Sequence, residues 1–383
     1  MHKLALGLAA VATIAGLAGC KGSSDKPAGD SAGGVKIGLI TDVGGRGDQS
    51  FNDGALRGLE MWAAGKKYTA GGYQPLPDAE RVASVPATLK DVSITPLAVT
   101  PVVLTSKAQE DYEPNLDLLV AEKVDLAIGV GFMIENAVEA AAKKHPQTRF
   151  LLVDSPLLDA RNKPFTLPNV QTVVFQEHEG SFLVGALAGL ASKSGKIGFV
   201  GGMGMPLIKK FEAGFIAGVK AVNPQAAEGA KRVYTGNFDD SASGKRAALD
   251  LYNQGIDVVY HAAGAGGLGV IQAAKEQGKL AIGVDSDQAH LAPQNVLTSM
   301  TKHVDYAIYT SIKAIADKKW QAGDSALGLK EGGVGMAPVT VDFPNKQEAL
   351  AKVEKLRKAV IDGKIKVPST LEELGTLAPP PIE

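Results

Sequence analysis

The stretch Lys36-Ile-Gly-Leu-Ile-Thr-Asp42-Val-Gly-Gly-Arg-Gly-Asp48-Gln-Ser50-Phe51-Asn52-Asp53 decides how this chain is read. Residues 35–40 form a short, mostly apolar run, the pattern of a strand buried on both faces. Gly44, Gly45 and Gly47 then let the backbone turn sharply and let a ligand approach it closely. Ser50, with Asp53 three residues later, has the look of a capping-box pair, and the helix it opens runs on through Trp62. In an open α/β sheet, ligands bind outside the carboxyl ends of the strands. Asp42, Phe51 and Asn52 are therefore expected to border a ligand crevice. A well-capped strand-to-helix turn without a ligand has the same spacing.

Working outward, apolar runs near 102–104, 124–131, 149–153, 170–175, 196–200, 231–234, 257–260, 281–284 and 296–300 alternate with helical segments. That alternation predicts α/β architecture with doubly wound parallel sheets. About 350 residues follow the N-terminal segments, which suits two lobes rather than one core. Lobe 1 is placed at 35–165 and lobe 2 at 166–290. Crossover segments near 290–300 and 330–345 are expected to return to lobe 1, with parts of 300–330 and 345–383 in lobe 2. The proline-rich stretch 65–100 reads as a surface insertion, with a strand at 92–99. The helix from Glu179 to Gly189 is rich in small residues and is expected to pack closely on a neighbour.

Residues 1–19 read as a signal peptide, because the apolar run 4–17 is too short for a confident membrane span. It ends in Leu17-Ala18-Gly19-Cys20, similar to the bacterial lipoprotein signal box, so Cys20 is the expected lipidation site. Cys20 is the only cysteine, which excludes an internal disulfide. Residues 20–34, rich in Ser, Gly, Pro and Asp, read as a flexible tether. A formal net charge of −1 argues against a nucleic-acid partner recognised through charge.

Enzyme and cofactor signatures are incomplete. Gly45-x-Gly47-x-x-Ser50 is not a full dinucleotide fingerprint, and Gly189 to Lys196 fails as a phosphate loop. No His-x-x-x-His pair offers a zinc site, and no Gly-x-Ser-x-Gly elbow appears. His178 reads as a helix-start residue. His261 ends a strand, where it suits ligand contact and a buried core role equally.

Several segments in this order carry a resemblance: Asp42-Val-Gly-Gly to Asp48-Gln-Ser-Phe-Asn52, Asp111-Tyr-Glu-Pro-Asn115, Gly129-Val-Gly-Phe132, Phe175-Gln-Glu-His-Glu-Gly-Ser-Phe182, Phe211-Glu-Ala-Gly-Phe-Ile-Ala-Gly218, Gly283-Val-Asp-Ser-Asp-Gln288 and Leu297-Thr-Ser-Met-Thr-Lys302. The chain resembles the BMP (basic membrane protein) family of bacterial substrate-binding lipoproteins, whose best-understood members are purine nucleoside receptors. The resemblance implies a type I periplasmic-binding-protein fold, a ligand enclosed between two lobes, no cofactor, and delivery to an ABC transporter permease. It also implies roles. Phe51 and Phe211 would stack the base, with Phe215 close by as a competitor for the second position. Asp42 and Asn52 would hydrogen-bond the ligand, and Gly264, Asp285 and Lys302 would hold the ribose hydroxyls. Asn136 lies where many relatives carry an aspartate facing the base edge, so an amide there is expected to shift preference toward adenosine or inosine. The same fold binding riboflavin or a sugar, and a nucleoside- or NAD-dependent enzyme, stand as alternatives.

Overall fold

Central parallel strands covered on both faces must be apolar throughout, and two sets of such strands organise the molecule. A computed structural model describes residues 34–376. The first sheet has the order Gly323–Leu327, Val170–Phe175, Phe150–Val153, Leu126–Val130, Val35–Thr41, Val99–Thr105, with every pairing parallel. The second has the order Lys231–Tyr234, Ile197–Gly201, Val258–Ala262, Leu280–Asp285, Val296–Lys302, Val334–Met336. Only its last pairing is antiparallel. Val35–Thr41 is an inner strand: Ile37 and Leu39 bury into one core, Ile40 into another on the opposite face.

The chain crosses between the sheets three times. Val170–Phe175 in the first sheet leads to the helix Glu177–Ala191, which packs against Val296–Lys302 and Val334–Met336 of the second. Val296–Lys302 leads to the helix Val304–Ala316, which packs on the first helical segment and on Val35–Thr41. Gly323–Leu327 leads back to Val334–Met336. The crossings are tied to one another: Gln176 N–H donates to Leu327 O at 3.0 Å and His303 N–H to Gly333 O at 2.8 Å.

This topology corrects the expected crossovers. Residues 290–300 and 330–345 supply strands to the second sheet, not the first; the element that returns is Gly323–Leu327. The helix at 304–316, expected in lobe 2, sits on lobe 1. Parallel pairing of Asp285 with Thr301 explains the first point, because it sets Lys302 at the same sheet end as Asp285. The segment 65–100 holds an antiparallel hairpin, Lys66–Thr69 with Gly72–Pro75, and a short helix, Asp78–Ala83. The strand expected at 92–99 begins only at Val99. Pro96 has no N–H for a ladder, and Ile94 O is taken by the Arg81 guanidinium. The signal peptide, Cys20 and most of the tether lie outside the described residues.

Small residues let two helices approach closely, as the sequence suggested. Glu177–Ala191 packs along Pro206–Val222. A Cβ added at Gly214 would lie 2.1 Å from His178 O, and one at Gly218 2.0 Å from Phe182 O. This pair carries Glu177 and Phe211 to the carboxyl end of the second sheet.

Candidate ligand-binding site

The carboxyl ends of both sheets face one cavity, with about 550 Å³ of empty space when its open mouth is counted. Of the expected residues, Asp42, Phe51, Asn52, Phe211, Gly264, Asp285 and Lys302 all line it. The Lys302 ammonium lies 5.2 Å from the Phe51 ring centre and 5.3 Å from that of Phe211, with the core ring of Phe175 at 5.1 Å. Phe215 is not a competitor: it packs at 5.0 Å on Tyr260 inside the core.

The turn after the first strand differs from the expected capping box. Ser50 makes no cap with its side chain. Asp48 does that work, accepting from Ser50 N, Asn52 N and Asp53 N at 2.7–3.0 Å and from the Asn52 amide at 3.0 Å. The Ser50 hydroxyl is thereby free to cross the cleft and donate to Asp285 Oδ2. Asn52 also departs from expectation. Its amide protons go to Asp42 Oδ1 at 2.8 Å and to Asp48, and its Oδ1 accepts from Asp42 N. Asn52 therefore orients Asp42 and has no proton left for a ligand. Asp42 Oδ1 also accepts from Gly44 N at 2.8 Å, whereas Oδ2 stands 3.1 Å from where a Gly131 Cβ would lie. That wall needs glycine, and Gly131 has φ 117°.

Lys302 is buried among carboxylates. It hydrogen-bonds Asp154, lies 3.1 Å from Glu177, and has Asp285 nearby. Burial works against its charge, but those carboxylates outweigh burial and raise its pKa. Asp154 and Asp285 both hold left-handed backbone, φ 80° and 63°, a conformation that is strained for residues other than glycine. Both therefore aim a carboxylate at one ammonium at the cost of local strain. Burial pushes Asp154 up to about 7, with Lys302 opposing and Glu177 adding. Burial also pushes Asp48 up to about 7 against its N–H donors. Glu177 stays below its usual range because Lys302 and Lys210 overcome its burial.

These raised carboxyls set a pH dependence. Above the unfolded carboxyl pKa near 3.8, folded Asp48 and Asp154 hold protons that the unfolded chain has released. Stability therefore falls as pH rises through 7. Thermal unfolding without ligand is expected to show these two carboxyls lowering stability between pH 6.5 and 7.5, partly offset by buried His261, which the unfolded chain protonates more readily. A stability that rises over that interval contradicts the assignment.

One expected residue, Asn136, falls elsewhere, and the open choice at His261 is decided for the core. Asn136 is exposed on an outer hollow with Met133, Met203 and Met205. Ile134 is buried in the core, and two residues on, about 200° round a helix, Asn136 faces out. It cannot read a base edge in this arrangement, and the expected shift toward adenosine or inosine loses its basis. His261 is fully buried, with Nε2 3.0 Å from Gln288 Oε1. Burial lowers its pKa to about 4, so it is a neutral core residue. The sequence reading missed Asp48, Asp154, Phe132 and Phe238. Phe132 and Phe238 meet edge to face at 6.0 Å from opposite lobes, and Phe132 borders both the cavity and the outer hollow.

Two α/β lobes, three crossings and a crevice between strand ends are the architecture of the type I periplasmic-binding-protein fold. A solved ABC transporter solute-binding protein from Aeropyrum pernix K1 superposes with TM-score 0.70 at 28% identity, over 89% of this chain and 96% of that one. The family profile for PnrA-like ABC transporter substrate-binding proteins, Bmp, matches residues 35–370. An "ABC transporter nucleoside-binding protein BmpA" from Lactococcus lactis is 33% identical, over 96% of this chain and 98% of its own length. An "uncharacterized lipoprotein" from Pyrococcus horikoshii is 34% identical, over 87% and 76%. The chain belongs to the Bmp family of ABC transporter substrate-binding proteins. It is a binding component that works with a permease, not an enzyme.

Proposed function

We propose that this protein captures a purine nucleoside between its lobes and presents it to its permease. The observation that carries the reading is that two rings, Phe51 and Phe211, line one cavity together with Asp285 and Lys302. A flat base gains from two aromatic faces. A vicinal diol suits Asp285 as acceptor and Lys302 as donor, through charge-assisted hydrogen bonds. The Lactococcus lactis relative, named as nucleoside-binding, supports the same reading.

The lining also excludes phosphate. Its acidic side chains, Asp42, Asp48, Asp154 and Asp285, outnumber Lys302, its one cation among the described residues, even with Asp48 and Asp154 partly protonated, and a like charge brought into such a site costs several kcal/mol. Titration calorimetry with inosine, adenosine and guanosine is expected to give a Kd of roughly micromolar or tighter for at least one of them. Their 5′-monophosphates are expected to bind at least about a hundredfold more weakly. Phe211→Ala should weaken the nucleoside by roughly ten- to a hundredfold. No binding of any purine nucleoside, or equal binding of the monophosphates, overturns the reading.

Lipid on Cys20 is proposed to hold the receptor at the outer face of a membrane; the lipoprotein name of the Pyrococcus horikoshii relative supports it. Cys20→Ser should move the protein from the membrane fraction to the soluble one.

A further inference from the structure

The charge around the cavity is not balanced. Lys302 is committed to Asp154 and Glu177. Asp285 is held by the Ser50 hydroxyl, and Asp48 is met by N–H donors on both oxygens. Asp42 differs. Its Oδ1 is saturated, but no hydrogen bond reaches Oδ2 among the described residues, although Asp42 is buried. Oδ2 stands beside Gly131 on the cavity wall. Phe132 follows Gly131 at that wall and meets Phe238 edge to face, both lining the cavity, whereas Phe51 and Phe211 lie beside Lys302. Among the described residues, no Lys, Arg or His other than Lys302 lines the cavity.

One end thus offers the diol an ammonium flanked by Phe51 and Phe211, and the other offers the ring Phe132, Phe238 and an unpartnered carboxylate oxygen. A neutral base answers Asp42 only through an N–H donor. A ring that carries positive charge answers the carboxylate by charge and the aromatic faces by cation–π attraction. It also offsets the excess of carboxylates in a water-poor site, where such pairing is strong. We infer that the cavity prefers ribosides with a cationic ring, N-methylated purine nucleosides or pyridinium ribosides, over neutral nucleosides of the same size. The inference rests on the nucleoside reading above.

The test uses pairs that differ in charge more than in shape. 1-Methyladenosine, which is cationic at neutral pH, is compared with its neutral isomer N6-methyladenosine. Nicotinamide riboside is compared with its uncharged dihydro form. Calorimetry at pH 7 on the whole protein, with inosine and adenosine alongside, is expected to favour each cation by about tenfold. In Asp42→Asn, shown to be folded by its thermal transition, the ratio within each pair should fall to about one, whatever happens to the absolute affinities. Lys245→Ala, which removes an exposed ion pair with Glu276 away from the cavity, should leave the ratio unchanged. Inosine or adenosine binding as well as or better than the cations overturns the preference and leaves the nucleoside reading standing. Failure of every riboside, neutral and charged, overturns both.

Discussion

Replacing Lys302 with methionine is expected to cost about 3–5 kcal/mol of stability at pH 7, the usual penalty for leaving buried carboxylates without their cation. Asp154, Glu177 and Asp285 all lose the same partner. The loss should shrink as pH falls. Without the ammonium the folded carboxyls bind protons more tightly than the unfolded chain does, so protonation favours the folded state. Ligand affinity should fall as well, because Lys302 lines the cavity. Urea unfolding at pH 5 and pH 8, with calorimetry at both, measures these effects. A variant as stable as the parent at pH 8 would show that the cluster is not held by charge.

Gly218→Ala is expected to be nearly as damaging, although the residue lies away from the cavity. The new Cβ would sit 2.0 Å from Phe182 O and 2.7 Å from Ala186 N, and backbone atoms cannot rotate aside. Parting the two helices should cost about 3 kcal/mol, the upper part of the overpacking range. The helix that moves carries Phe211 into the cavity wall, so ligand affinity should fall as well. Gly229→Ala is the control: its φ is −83° and the nearest atom to a new Cβ is 3.6 Å away. It should change stability by less than about 0.5 kcal/mol. Thermal unfolding of both variants decides the point.

Much of this was legible because it is local. A strand, a glycine turn and a helix follow from residues 35–62, and polar residues at strand ends point to a crevice. What stayed hidden depends on register and rotation. Nothing near Asp154 in sequence says that Lys302 will reach it; the parallel alignment of Val296–Lys302 beside Leu280–Asp285 decides that. Ser50 and Asp48 are both good helix caps by residue type, and the choice between them turns on an acceptor 235 positions away. Asn136 matched a family position, but the burial of Ile134 turned it outward. Phe238 lies in a loop between strand and helix, where no periodicity marks it.

The bonds from Ser50 to Asp285, and from Gln288 Nε2 to Gln49 O at 3.1 Å, join the halves without any atom of the cargo. They weigh on how often an unladen receptor already adopts its shut shape. Apparent affinity scales with that occupancy. Substitutions such as Gln288→Ala could therefore retune uptake sensitivity without altering which cargo is chosen.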